Sequence, residues 1–350
     1  MIYKPIWFMG NISELPGYYF SIQKKLKKEN CQVFIALGGD DFSPYYGYFQ
    51  LFKNLLEIKL YSKKIPTVLL GQTIGPFPTA VRPMIRWFLK ESYLSIRDEI
   101  NFHYVKEALE LRQVTLSGDL AFLNLPFQDN ADEKSFIFTQ YPLVENQYIS
   151  VVPSGLTQAY THNEQKYIEN YVEIINFLAG FQETKNLKLV LLAHVLQNDK
   201  TDDRMIIQKI YSSLEGTVQK KAVCVLEPLL PYQLRIILGS GRFTITGRMH
   251  AAISTFQMGK PAICLSYSIK YSGVIGKGLA MEGLLLECAG AKYWENHEVS
   301  RKIIALIQEL FHSYGNTCFS ITRNLADLQE KIKKEIDHLC SFLLQLGSGK

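Results

Sequence analysis

YISVVPSG (148–155) and LKLVLLAH (187–194) are two apolar runs of strand length, each closing on small or imidazole residues. Between them Glu164–Gly180 repeats its apolar positions at helical spacing. Strand, helix, strand, with the strands apolar on both faces, describes a parallel β-α-β unit covered by helices. The pattern continues downstream through a helix at Lys200–Leu214, the strand KAVCVLE (221–227), a helix at Pro231–Leu238, the strand GRFTIT (241–246), a helix at Arg248–Gln257 and the strand PAICLS (261–266). Upstream it has already run once: CQVFIALGG (31–39), a helix around Gln50–Ser62, IPTVLLG (65–71), a helix at Thr79–Ser92, YLSIR (93–97), a helix near Glu99–Ala108 and RQVTLSGD (112–119). The prediction is an α/β fold of two Rossmann-like, doubly wound domains facing across a cleft. The first spans 1–123 and the second 148–320. The polar, turn-rich stretch 124–147 reads as a hinge. Helical stretches at 298–312 and 325–344 follow, the last (321–346 with its flanks) packing back on the first domain.

Composition bounds what such a chain does. At 350 residues it exceeds one ordinary core. With 47% hydrophobic and 20% charged residues it is globular and not disordered. A net charge of +5 suits small anionic substrates or a membrane surface, and is too weak to argue for nucleic acid. The six cysteines show no CxxC spacing, which points to free thiols in a reducing compartment and to no metal site. Neither a signal peptide nor an apolar run of about 18 residues is present, so a soluble cytoplasmic protein is expected. The terminal LGSGK (346–350) is set aside.

In doubly wound sheets ligands bind outside the carboxyl ends of the strands. GGDDF (38–42) places Asp40 and Asp41 there, as helix cap or as acids able to take a proton from a hydroxyl. GQTIGPF (71–77) offers Gln72 and Thr73 as ligand donors, or a simple turn. In SIRDE (95–99) Asp98 reads as a helix N-cap and Arg97 as its structural partner or a ligand clamp; Asp119 reads as structural. In the second half, Ser154 and Gly155 could present backbone N–H groups to an anion, and His194 could reach the cleft.

ITGRMHAAIS (245–254) is the strongest candidate. Thr246 can cap a helix whose core stripe is Met249, Ala252, Ile253 and Phe256, at i, i+3, i+4, i+7. Arg248 and His250 lie off that stripe. A helix N-terminus attracts anions, and arginine adds a bidentate fork for phosphate or carboxylate. Gly247 allows close approach of the backbone, and Lys270, after the next strand, adds a point charge.

Together GGDDF, GQTIGPF, SIRD, GDLAF, TGRMHA (246–251) and GKPAICLSYSIKYSG (259–273), in this order over roughly residues 33 to 275, resemble the polysaccharide pyruvyl transferase family. TGR-x-HA and Y-x-x-K, Tyr267 to Lys270, are the most telling pieces. The resemblance implies a GT-B-like pair of Rossmann domains. It further implies transfer of pyruvate from phosphoenolpyruvate to two hydroxyls of a cell-surface or exopolysaccharide sugar, giving a ketal and phosphate. It puts the family's arginine, histidine and lysine on Arg248, His250 and Lys270, and its acid after the glycine turn on Asp40. No cofactor or metal is implied. The expected partners are phosphoenolpyruvate and a glycan acceptor, free or lipid-linked, with peripheral contact to the membrane's inner face.

Two departures stand out. Only 37 residues precede Gly38, so the first β-α unit reads as abbreviated. Some relatives carry an arginine on the strand that opens the second domain, where this chain has ISVVPSG with Val152 or a neighbour in its place; any donor contact it makes is either absent here or supplied elsewhere, for which Arg97 and His194 are the candidates. Two other readings remain at this stage. One is a nucleotide-sugar glycosyltransferase on the same scaffold, with Glu287 on the ribose. The other is a non-catalytic glycan-binding subunit using aromatic residues such as YYGYF (45–49).

Overall fold

The structure, a computed structural model, describes residues 17, 19–22, 24, 31–44, 47–197, 199 and 201–348. Tyr45 and Tyr46 of the aromatic stretch lie outside them. The chain divides into two compact units, 1–120 with 329–350, and 121–328.

Unit 1 holds a parallel sheet in the order β1-β2-β3-β4, among the described residues: β1 Phe34–Phe42, β2 Thr67–Ile74, β3 Tyr93–Ile96 and β4 Val114–Leu116. All eight residues of β2 are buried, as the unbroken apolar run requires of a central parallel strand. Helices α1 (Tyr48–Ser62), α2 (Arg82–Leu89) and α3 (Glu99–His103) supply Leu51, Leu55, Ile58, Ile85, Leu89 and neighbouring residues to its core. Asp98 caps α3, its carboxylate accepting the Asn101 N–H at 2.8 Å. Asn101 in turn clamps the end of β2 through the Ile74 N–H (2.9 Å) and C=O (2.8 Å).

GGDDF departs from the expected strand end. β1 runs on to Phe42 across a register shift between Gly39 and Phe42, and α1 begins after Gly47 with no side-chain cap. Asp40 and Asp41 are therefore strand residues within a bulge and do not cap α1. An extra residue in one strand is what lets both acids leave the regular pleat.

Unit 2 holds a parallel sheet in the order β10-β9-β8-β5-β6-β7: β5 Tyr148–Val152, β6 Lys188–Leu192, β7 Ala222–Val225, β8 Thr244–Thr246, β9 Ala262–Ser266 and β10 Leu285–Glu287. The segment 124–147, expected as a hinge, belongs to unit 2. It contains α4 (Ala131–Gln140), capped by Asn130, and Ile137, Tyr141 and Leu143 enter the core with Tyr148 and Val152. Its polar composition concealed those three buried positions. Helices α5 (Glu164–Gly180), α6 (Asp203–Ser212), α7 (Pro231–Ser240) and α8 (Met249–Gln257) complete the unit. The fully buried Arg235 on α7 ties down the start of the unit, donating to Ala121 O (2.6 Å), Leu123 O (2.7 Å) and Gln128 Oε1 (3.0 Å). Burial lowers its pKa to about 10, which still leaves it charged at neutral pH.

The two expected C-terminal helices are one, α9 (Glu298–Ser348). Its residues up to 328 belong to unit 2. Beyond them Leu339 packs with Val68, Leu70 and Tyr93 of unit 1, and Glu335 accepts from the Tyr93 hydroxyl (2.9 Å) and from Thr115. Gly315 sits mid-helix without breaking it, since a lone glycine costs only about 1 kcal/mol there. Among the described residues no helix is long and apolar enough to cross a membrane.

Arg235→Ala removes the guanidinium donors from two backbone carbonyls inside unit 2 and one of two donors from the Gln128 oxygen, which keeps the Leu125 N–H. It should cost about 3 kcal/mol of stability, read as a lowered urea midpoint. A loss within about 0.5 kcal/mol, the range of ordinary surface substitutions, would show that the segment is held by other contacts.

Candidate active site at the switch point of unit 2

Strand order in unit 2 reverses after β7: β5, β6 and β7 are laid to one side, and α7 carries the chain back to place β8 on the other side of β5. The crevice outside the carboxyl ends of β5 and β8 is where such sheets take ligands. Ser154 and Gly155 follow β5, His194 follows β6, Gly247 and Arg248 follow β8, and Tyr267 and Lys270 follow β9.

Asp203, the first residue of α6, organises this corner and was not among the sequence candidates. It is fully buried, and its carboxylate accepts from Gly155 N (2.7 Å), His194 N (3.1 Å) and Val195 N (2.8 Å). Arg248 closes the cage with Nη2 at 2.6 Å and Nε at 3.1 Å, and Nη2 also donates to Thr201 O at 3.0 Å. Gly155 must be glycine here: a Cβ would lie 2.5 Å from Thr201 O and 2.6 Å from Asp202 O.

This arrangement corrects two expectations. The Gly155 N–H serves the protein's own carboxylate, and the Ser154 N–H donates to the Tyr167 hydroxyl at 3.0 Å, so neither is presented to a ligand. Ser154 itself is fully buried, its hydroxyl oxygen accepting from Leu156 N. Thr246 does not cap the helix either. It ends β8 and its Oγ1 accepts the Arg248 N–H at 2.8 Å, closing a turn two residues long.

Helix α8 starts one residue later than expected, with Arg248 as an extended N-cap that makes no side-chain cap, and no acid in its first turn. The Ala251 N–H turns back to Arg248 O at 3.1 Å and no side chain caps the turn, so the positive end of the helix dipole there favours an anion. The core stripe Met249, Ala252, Ile253 and Phe256 is buried as predicted, and Ala251, Thr255 and Gln257 are buried as well. His250 is exposed and Arg248 half-buried. Among the described residues Nη1 of Arg248 makes no hydrogen bond, so one edge of the fork remains for a ligand.

His194 stands beside His250 and Arg248, close enough for their charges to act on it. Loss of hydration, and then electrostatic repulsion from the neighbouring His250 and Arg248, lower its pKa to about 3, so it is neutral at working pH. Of the two proposed substitutes for the missing arginine, His194 is the one in this cluster. It brings a neutral hydrogen-bonding ring and no charge. Val152, at the arginine's place, is fully buried in the core.

Tyrosines fix the turn from below. The hydroxyls of Tyr160 (2.6 Å) and Tyr271 (2.7 Å) both donate to Gly247 O, and a Cβ on Gly247 would meet the Tyr160 hydroxyl at 2.7 Å. Tyr267 packs edge-on against Tyr160 and Tyr271, with ring centroids 5.2 and 5.5 Å away. Lys270 Nζ lies 5.1 Å above the Tyr267 ring, which ties the Y-x-x-K pair to the same aromatic support.

The remaining candidates lie in unit 1. Arg97 is buried, and its partners are Asp119 (2.9 Å) and the Thr73 hydroxyl (2.7 Å), not Asp98. It closes the ends of β2 and β3 and is structural, as is Asp119. Gln72 is fully buried with its amide N–H on Leu37 O at 2.8 Å, so it bridges β1 and β2 and is turned from solvent. Asp41 is exposed; partial burial and then the charge of Asp40 raise its pKa, against the pull of Arg97.

Residues 4–269 match the family described as polysaccharide pyruvyl transferase. The chain belongs to that family. Its TGR-x-HA residues are those that Asp203 and the tyrosines hold in place. The chain is 25% identical over 278 residues to the amylovoran biosynthesis protein AmsJ of Erwinia amylovora, covering 77% of this chain and 64% of that relative. It thus spans less than two thirds of the relative's length. Among solved structures it resembles the UDP-GlcNAc 2-epimerase of Neisseria meningitidis bound to UDP-GlcNAc (TM-score 0.60, 14% identity, 93% of this chain and 80% of that one). It also resembles the alpha,alpha-trehalose 6-phosphate synthase of Burkholderia multivorans (TM-score 0.62, 10% identity, 96% and 78%). At such identities the likeness concerns the fold: two Rossmann-like units of the GT-B type.

The low pKa of His194 has a measurable consequence. The unfolded imidazole titrates near 6.5 and the folded one near 3, so between these values only the unfolded chain takes up the proton. Stability from neutral His194 is full above about pH 6.5 and is lost as pH falls, by up to about 1.4 kcal/mol per pH unit. His194→Gln should flatten the acid side of a plot of urea midpoint against pH. Equal slopes for both proteins would contradict a ring that the fold keeps neutral.

Proposed function

We propose that this family member transfers a pyruvyl group from phosphoenolpyruvate to two hydroxyls of one sugar in a polysaccharide or its precursor. The observation that carries the reading is the uncapped start of α8 beside Arg248, whose guanidinium is already oriented by Asp203 and keeps Nη1 for a ligand. Phosphoenolpyruvate has a phosphate and a carboxylate, and a site for it needs several cationic or N–H groups close together. Arg248, Lys270 and the first turn of α8 provide them, and the neutral His194 adds a hydrogen bond.

The chemistry balances without a cofactor. C3 of the enol takes a proton while the first sugar oxygen bonds to C2 and gives up its own. The C2–O bond to phosphate then breaks, and the second hydroxyl oxygen bonds to C2. Its proton leaves with the phosphate, and a methyl-bearing ketal remains. His250 is assigned as the acid that protonates C3, because it stands in the first turn of α8 and is exposed to a ligand. In unit 1, Asp40 is the assigned base for an acceptor hydroxyl, with Asp41 beside it. The acceptor is a glycan, free or lipid-linked, and the reaction belongs at the cytoplasmic face of the membrane.

A nucleotide-sugar reading finds less support. The backbone N–H groups after β5 and β6, where a diphosphate would be cradled, are consumed by Asp203. Glu287, the ribose candidate, accepts from the Ser266 hydroxyl and the Ala289 N–H instead.

Incubated with phosphoenolpyruvate and a glycan acceptor, the protein should release phosphate without free pyruvate. Arg248→Ala and His250→Ala should each lower kcat/KM by about 100-fold or more, and Asp40→Asn should raise the acceptor KM. Full activity in both unit 2 variants would refute the assignment, as would tight binding of a nucleotide sugar without binding of phosphoenolpyruvate.

A further inference from the structure

The Asp203 carboxylate sits where a ligand anion would otherwise bind. Three backbone N–H groups from two different strand ends converge on it, and it has no contact with solvent. Those three N–H groups meet most of its hydrogen-bonding capacity, and Arg248 supplies the counter-charge. Its contact with Nη2 and Nε of Arg248 also fixes the plane and the reach of the guanidinium. Arg248 is the N-cap of α8, so fixing its fork relative to β5 and β6 also fixes where its open edge lies relative to the first N–H groups of the helix.

We propose that Asp203 is the positioning residue of the anion site: seated in a cage of backbone N–H groups, it holds Arg248 so that Nη1 and the start of α8 address one phosphate or carboxylate group together. The role of that anion in pyruvyl transfer rests on the function proposed above; the positioning itself does not. Asp203 touches no substrate. It acts through Arg248, and its neighbour Asp202 has a separate duty, capping α6 at Arg204 N (2.8 Å). The cage explains why two acids stand in succession.

The test compares wild type, Arg248→Ala and Asp203→Asn, with inorganic phosphate as the binding probe and phosphoenolpyruvate in steady-state assays. Asp203→Asn keeps the shape of the side chain but turns one acceptor into a donor facing N–H groups. It should weaken phosphate binding and raise the phosphoenolpyruvate KM by ~10-fold or more, leaving the acceptor KM within about twofold. A purely structural residue would shift both KM values alike, and that result, or an unchanged donor KM in a folded variant, overturns the proposal. If Arg248→Ala loses phosphate binding and Asp203→Asn does not, positioning fails while the function stands. If wild type does not turn phosphoenolpyruvate over with a glycan acceptor but phosphate binding falls in both variants, the function fails while positioning stands.

Should Asp203→Asn not fold, wild type alone decides by nitrogen-15 NMR of arginine side chains. The Arg248 Nε–H should exchange slowly with solvent and shift when inorganic phosphate is added. Exchange as fast as that of an exposed arginine overturns the proposal.

Discussion

Taking the Asp203 carboxylate and the Arg248 guanidinium out of water carries a desolvation penalty of several kcal/mol for each ion, and mutual attraction alone often fails to recover it. Here the penalty is offset by three N–H groups that approach the carboxylate at 2.7–3.1 Å and by a two-point contact with the guanidinium. Those N–H groups come from the loops after β5 and β6, and the arginine from the turn after β8. One buried acid therefore cross-links three strand ends of the same sheet. The geometry of the proposed anion site follows from that cross-link, and removing either charge would leave the other without its partner.

The rest of unit 2 is arranged so that this cross-link can form. Gly155 lets the loop after β5 come into contact with the 201–203 backbone, which a single Cβ would prevent. Gly247 lets the β8 turn rest on the Tyr160 hydroxyl, and its carbonyl takes two tyrosine O–H bonds. Burial keeps the Tyr160 and Tyr271 pKa values well above 10, so both phenols remain donors at any physiological pH. The many tyrosines near the site thus serve as its support.

Much of the fold was legible because parallel strands buried on both faces leave an unmistakable trace: every strand of unit 2 from β5 to β9 lies within an apolar run quoted from the sequence. The segment 124–147 was not legible. Helix α4 exposes most of its surface, and one fully buried isoleucine in ten residues gives too weak a period to read. The continuity of α9 was likewise hidden, since the stretch around Gly315 and Asn316 has the look of a helix end. At the site, TGRMHA pointed to the right corner because arginine and histidine lay off the core stripe. Asp203 escaped notice because pairing with a residue 45 positions away leaves no local signature; TDDR reads as an ordinary helix start. Arg97 shows the converse. Its sequence neighbour Asp98 was the natural partner on paper, but Asp98 is committed to the Asn101 N–H, and Arg97 takes Asp119 across the sheet instead.

The central claim is that the uncapped start of α8 and the open edge of an arginine held by a buried acid form one anion site for the pyruvyl donor. A crystal structure of the protein with phosphoenolpyruvate tests it most directly. The account predicts a phosphate or carboxylate of the donor within hydrogen-bonding distance of both Arg248 Nη1 and the first N–H groups of α8, with Asp203 still in its cage. A donor bound without contact to Arg248 and α8, or one that displaces Asp203 from the three N–H groups, would contradict it.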